Sequence, residues 1–90
     1  MESTDAESVL SVYSLLGGRV EALEFLVTAD VPHLGESLAS VTFQPGILLA
    51  CISRGAKVLF PGGGDSLQAG DTVIVVTTHS GLKDLKDVLR

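Results

Sequence analysis

The feature that most constrains this chain is the unbroken apolar run Ile47-Leu48-Leu49-Ala50-Cys51-Ile52, fenced by Gln44-Pro45-Gly46 before it and Ser53-Arg54-Gly55 after it. A bilayer span needs about 20 apolar residues, so this run is far too short to cross one. A short apolar stretch between turn formers reads as a strand with apolar residues on both faces. One face meets the domain's own core, and the other needs a second partner.

The neighbouring segments fit a sheet around that strand. Ser53-Arg54-Gly55 has the length of a hairpin connection, and Lys57-Val58-Leu59-Phe60 is the returning strand. Pro61-Gly62-Gly63-Gly64-Asp65 and Ala69-Gly70-Asp71 are turns, and Thr72-Val73-Ile74-Val75-Val76-Thr77-Thr78 is the most β-prone stretch. Upstream, from Arg19, the period is two: Val20, Ala22, Glu24, Leu26 and Thr28 share one face, and Glu21, Leu23, Phe25, Val27 and Ala29 the other. Helical spacing is read in three places. Val9, Val12, Leu15 and Leu16 predict a short helix ended by Gly17-Gly18. Leu34, Leu38 and Val41 predict a second, with Glu36 in its first turn. Leu82, Leu85, Val88 and Leu89 predict an amphipathic terminal helix over residues 81–90. The expected class is therefore α+β, a small, mostly antiparallel sheet with short helices. Residues 1–16 form an N-terminal linker or helix, and residues 17–90 one domain.

Ninety residues hold one core and no more. A composition 46% hydrophobic, with no membrane span to explain it, favours burial of the second sheet face in an oligomer. The net charge is −5 and the six basic residues form no cluster, so the electrostatic footprint of a nucleic-acid binder is missing. A lone cysteine suits a reducing compartment. Acidic Glu2, Asp5 and Glu7 stand where a signal peptide carries basic residues, so a soluble cytoplasmic chain is expected.

Little in the sequence points to catalysis. Cys51, with His33 or His79 as base, is the one arrangement resembling a thiol nucleophile, but it sits in the most apolar run, where a thiol is inert. His33 and His79 lie at element ends without the clustered spacing of metal ligands. Gly62-Gly63-Gly64 is followed by Asp65-Ser66 instead of the Gly-Lys-Ser/Thr of a phosphate loop, so turn chemistry explains it. Glu24, between Leu23 and Phe25, is expected to be half-buried and paired with Arg19 or Arg54. Arg54, at the tip after the apolar strand, can fork onto a carboxylate or phosphate. With Lys57 and His33 it completes the set of ligand-binding candidates; no catalytic, metal or cofactor residues are assigned.

Several spaced residues together resemble a known family. They are Gly18-x-Val20-Glu21-x-Leu23-Glu24-Phe25, then Leu34-x-x-x-Leu38, then Ile47-Leu48-Leu49-Ala50-x-Ile52-x-Arg54-Gly55, and finally Phe60-Pro61-x-Gly63-x-x-x-Leu67-x-x-Gly70-Asp71-x-Val73-Ile74-Val75. Over roughly residues 17–90 the chain is similar to the TrkA C-terminal domain, the C-lobe of RCK regulators. The resemblance implies a cytoplasmic homodimer at the inner face of the plasma membrane. It would bind a small regulatory ligand, a nucleotide among the candidates, and act indirectly on a membrane potassium transporter subunit. The family usually places this domain after a Rossmann-type lobe; the chain holds no such lobe, so no nicotinamide cofactor is carried over. Some members bind cyclic di-AMP through an arginine-bearing segment just before the apolar strand. Here that segment is Ala39-Ser40-Val41-Thr42-Phe43, without arginine. The alternatives are a purely structural oligomerisation module, or a regulatory domain of another cation transporter or antiporter.

Overall fold

The computed structural model describes residues 9–79, 82 and 85–89. Five strands make one antiparallel sheet: β1 (Val9–Leu15), β2 (Val20–Leu26), β3 (Ile47–Arg54), β4 (Lys57–Leu59) and β5 (Thr72–Thr77). Their order across the sheet is β1-β2-β5-β3-β4. The last strand in sequence is thus the central one. Its β-branched residues are the best suited to a strand paired on both sides, and Val73 and Val75 are fully buried.

The two-residue alternation of β2 sets the faces. Leu23 and Phe25 look inward and are buried, together with Ile52 of β3 and Val73 and Val75 of β5. This inner face is closed by Val31, Val41, Leu67, Leu85, Val88 and Leu89, all from connections and the C-terminal segment. A register shift between Leu49 and Cys51 marks a bulge in β3. It keeps both Leu49 and Ile52 on the inner side and turns Cys51 outward, opposite Ile74. A β-bulge has this effect because its extra residue changes the side-chain parity of the strand.

The structure corrects the helix expectations. Val9–Leu15 is a strand paired with β2, with Leu15 opposite Val20 and Val12 opposite Leu23. Its Val, Tyr and Ser content suits a pleated strand as well as its leucine spacing suits a helix, and the unpaired edge of β2 decides between them. Gly17-Gly18 is accordingly a hairpin turn, where Leu16, Gly17 and Gly18 all take positive φ. The expected helix over 34–41 is a set of turns with one 3-10 turn, Leu38–Ser40. Its amides donate across space, Gly35 N to Leu67 O, Leu38 N to Asp65 O and Ala39 N to Gly63 O, and are therefore lost to a helical ladder. At the C-terminus the described part is a 3-10 turn, Leu85–Asp87. Leu85, Val88 and Leu89 are buried, the side expected to face inward, while Gly81, Lys83, Asp84 and Arg90 lie outside the described residues. Among the described residues the chain is thus an antiparallel five-stranded sheet with almost no helix.

Candidate functional site

Arg54 ends β3 and Asp71 precedes β5, so the pairing of those strands sets them side by side. The guanidinium forks onto the carboxylate, Nε to Oδ1 at 2.9 Å and Nη2 to Oδ2 at 2.8 Å. Nη2 also donates to the Ser66 carbonyl at 2.8 Å, and Oδ2 accepts from Gln68 N at 2.9 Å. Asp71 is 2% exposed. Hydrogen bonds from Arg54 hold its carboxyl below the usual carboxylate range against the opposing effect of burial, with help from the Gln68 amide. The same bond, and the charges of Asp71 and Asp65, raise the Arg54 pKa against desolvation. Bidentate charge-assisted pairs are directional as well as strong. This one fastens the tip of the β3–β4 hairpin to the turn entering β5. The sequence offered Arg19 or Arg54 as the partner of Glu24, and Arg54 as a residue that forks onto a carboxylate or phosphate; the carboxylate that Arg54 holds is Asp71 of the Gly70-Asp71 turn. Arg19 donates to Leu16 O at 3.0 Å instead.

The other two candidates stand around this lock. Lys57 is the cross-strand neighbour of Arg54 and is exposed. His33 occupies a turn at φ 68°, with Nδ1 3.2 Å from Glu36. That turn joins the same region through Gly35 N and Leu67 O, one residue from the Ser66 carbonyl that Arg54 holds. Residues 63–67 are thus a strap gripped by the 35–39 segment on one side and by Arg54 on the other.

A cavity of about 250–300 Å³ lies beside the strap. It measures ≈ 270 Å³ and is lined by Leu38, Ala39, Phe43, Ile47, Leu48, Leu49, Pro61, Gly62 and Gly63. Ser37 Oγ donates to Gly63 O, and Gly62 N donates to Asp65 Oδ2 at 2.7 Å. A Cβ on Gly63 would come within 3.2 Å of the Ala39 Cβ, so the wall is built to a glycine's dimensions. The groove is apolar with backbone polar groups at its rim, a combination suited to a flat, partly apolar small molecule. The glycine run reads as a turn in the sequence and does form one. That it also walls a groove depends on residues 38–43 meeting it, which no local pattern signals. Two further hollows occur, ≈ 250 Å³ at Val20, Ile47, Leu48, Val76 and Thr77, and ≈ 280 Å³ at Gln44, His79, Leu82 and Asp87. Among the described residues no three His, Cys, Asp or Glu side chains gather as metal ligands.

The outer sheet face is largely apolar and uncovered among the described residues. One transverse row runs Tyr13, Ala22, Val76, Leu48 and the next Ser11, Glu24, Ile74, Cys51. Leu48 is 62% exposed, so the apolar run is buried on its inner side alone. Cys51 is half-buried. No helix among the described residues is long and apolar enough to cross a membrane.

Comparison with known proteins adds the following. A family model described as the TrkA-C domain matches residues 22–90. Over 81 residues, 90% of the chain, it is 25% identical to "Trk system potassium uptake protein TrkA homolog 2" of Methanosarcina mazei. Over 79 residues, 88% of the chain, it is 28% identical to "Trk system potassium uptake protein TrkA homolog" of Archaeoglobus fulgidus. The chain spans 18% of the length of each of these relatives.

Proposed function

The chain belongs to the TrkA-C domain family, and on that premise we propose that it is a regulatory, non-catalytic domain of a potassium uptake system. In this reading two copies associate and a small ligand, a nucleotide for preference, binds to the domain. Ligand binding favours one arrangement of the two copies, and a membrane transporter subunit responds to that arrangement. A ligand shifts such an equilibrium only by its differential affinity for the two arrangements. The domain would act in the cytoplasm, beside the inner face of the plasma membrane. The single observation that carries the reading is the apolar groove between residues 38–43, β3 and the glycine run. Its wall is continuous with the strap that Arg54 fastens, so an occupant is placed to act on the β3–β4 hairpin. Lys57, Arg54 and His33 are the polar residues proposed to meet a ligand's negative charge; none of them lines the groove, and Arg54 already holds Asp71 and Ser66.

Thermal unfolding with a panel of nucleotides, cyclic di-AMP and ATP included, tests this. A ligand at 100 times its Kd stabilises the folded state by about 2.7 kcal/mol. Each kcal/mol moves the midpoint of a domain this size by about 4–8 °C. The shift is expected to vanish in Gly62→Val, which fills the groove at a position free of positive φ and of close neighbours. No shift with any nucleotide favours a second reading, a purely structural oligomerisation module, to which the uncovered outer face also points. Regulation of another cation transporter is a variant of the first reading, separated by ion-flux measurements with the full-length protein.

A further inference from the structure

We propose that β1 is the self-association edge of this domain, pairing antiparallel with β1 of a second copy to make a continuous ten-stranded sheet. The inference rests on the reading of the chain as a self-associating domain and names the surface involved.

The two edges of the sheet differ in kind. The β4 edge is three residues long and carries Lys57, the short charged edge by which sheets avoid unwanted pairing. The β1 edge is seven residues long and reads Val-Leu-Ser-Val-Tyr-Ser-Leu, without charge, proline or glycine. Its partner is β2 on one side, and no described residue pairs with it on the other. Of the nine exposed large apolar side chains among the described residues, five fall in this strand and its turn: Leu10, Val12, Tyr13, Leu15 and Leu16, between 44% and 65% exposed. The register shift between Val9 and Ser11 interrupts the start of β1, so residues 11–15 are the regular part of an apolar edge, a template for another strand.

Three features select a second copy as the occupant. An antiparallel pairing of a strand with itself is two-fold symmetric, and the same patch serves both partners. The pairing also closes, because the ten-stranded sheet ends at both sides on the guarded β4 edge, and no open strand remains to propagate a fibre. Charge agrees. Each copy carries −5 overall, yet β1 presents none of it. Glu2, Asp5 and Glu7 precede the strand in the sequence; among the described residues the nearest carboxylates, Glu21 and Glu24, sit one strand inward, opposite Ser14 and Ser11. With strands about 4.8 Å apart, those of two copies stand roughly 14 Å or more from each other, beyond the Debye length of about 8 Å at physiological salt. Tyr13 and Leu15 lie on the outer apolar face with Ala22 and Val20, so the join extends that face across both copies.

Sedimentation equilibrium over a concentration series, on the wild-type chain, Val12→Lys and Leu48→Lys, tests the assignment. The wild type and Leu48→Lys are expected to dimerise. Val12→Lys, which places a lysine at the middle of the edge, is expected to remain monomeric with an unchanged circular dichroism spectrum. Hydrogen exchange on the wild type supplies a second readout that needs no variant: the outward β1 amides are expected to be protected at high concentration and released on dilution. Dimers of Val12→Lys as tight as wild type, or β1 amides exchanging at the same rate at every concentration, overturn the edge. A dimer lost in Leu48→Lys and kept in Val12→Lys also overturns it, while leaving self-association standing through the outer face. A wild type monomeric throughout overturns both.

Discussion

The sheet's two phenylalanines of opposite environment give a demanding test of where the core lies. Phe25 is fully buried in β2 opposite Val73, and Phe60 is 83% exposed just after β4. Truncating each to alanine is the same chemical change with opposite structural meaning. For Phe25 the loss combines the transfer free energy of the ring with the cavity it leaves, about 3–5 kcal/mol. The stability of a domain is about 0.05–0.15 kcal/mol per residue, or roughly 5–14 kcal/mol for 90 residues. Phe25→Ala therefore removes a large share of what holds the fold. Phe60 withdraws less than a fifth of its surface from water, so from a full-burial value of about 3 kcal/mol its truncation costs about 0.5 kcal/mol. Urea unfolding at low protein concentration, with m unchanged, reads both numbers. A Phe25→Ala loss below about 1 kcal/mol, or a Phe60→Ala loss above about 1.5 kcal/mol, refutes the placement of the inner face against these magnitudes.

Two further substitutions probe the lock and a turn. The folded-state pKa of Asp71 is depressed. Its contribution to stability is therefore complete above the unfolded carboxylate value of about 3.9, and it is lost as pH falls through the folded value. In Asp71→Asn a donor of Arg54 must face an amide NH₂ in either orientation, since Arg54 donates to both oxygens, so stability at neutral pH drops and the acid limb of the pH–stability curve flattens; superimposable acid limbs for variant and wild type sink this account. Gly46 has φ 79° and a Cβ there would lie 2.6 Å from Thr78 Oγ1. Gly46→Ala is expected to lose at least the 1–2 kcal/mol or so of a left-handed non-glycine residue, measured by denaturant midpoint, and a neutral outcome would contradict the turn geometry.

The lock and the groove are mechanically related through the strap at residues 63–67. One side of the strap accepts three backbone hydrogen bonds and one from the Ser37 hydroxyl, all from residues 35–39, and the other is held at Ser66 by Arg54. The segment that walls the groove is thus the one whose far side grips the β3–β4 hairpin. Packed elements of this kind shift between discrete arrangements more readily than they deform.

The sequence alone determined the strands whose signals are local. The alternation put Leu23, Phe25 and Val27 on one face of β2, which the structure shows to be the inner one, and the breakers at Gly46 and Gly55 bounded β3. The apolar surplus on the opposite face was equally legible, since the residues that show it, Ala22, Val76 and Leu48, alternate with the core positions. Three matters were decided by tertiary structure. The 9–15 segment satisfies helix and strand spacing alike, and the open edge of β2 made it a strand. The 34–41 segment has helical apolar spacing, but its amides found carbonyls at Gly63, Asp65 and Leu67. The partner of Arg54 is Asp71, seventeen residues away, because β3 and β5 are neighbours across the sheet. A short segment fixes its own periodicity, whereas its hydrogen-bond partners belong to whichever distant backbone comes to lie beside it. The groove exists for the same reason, formed where residues 38–43 meet a glycine turn that is unremarkable by itself.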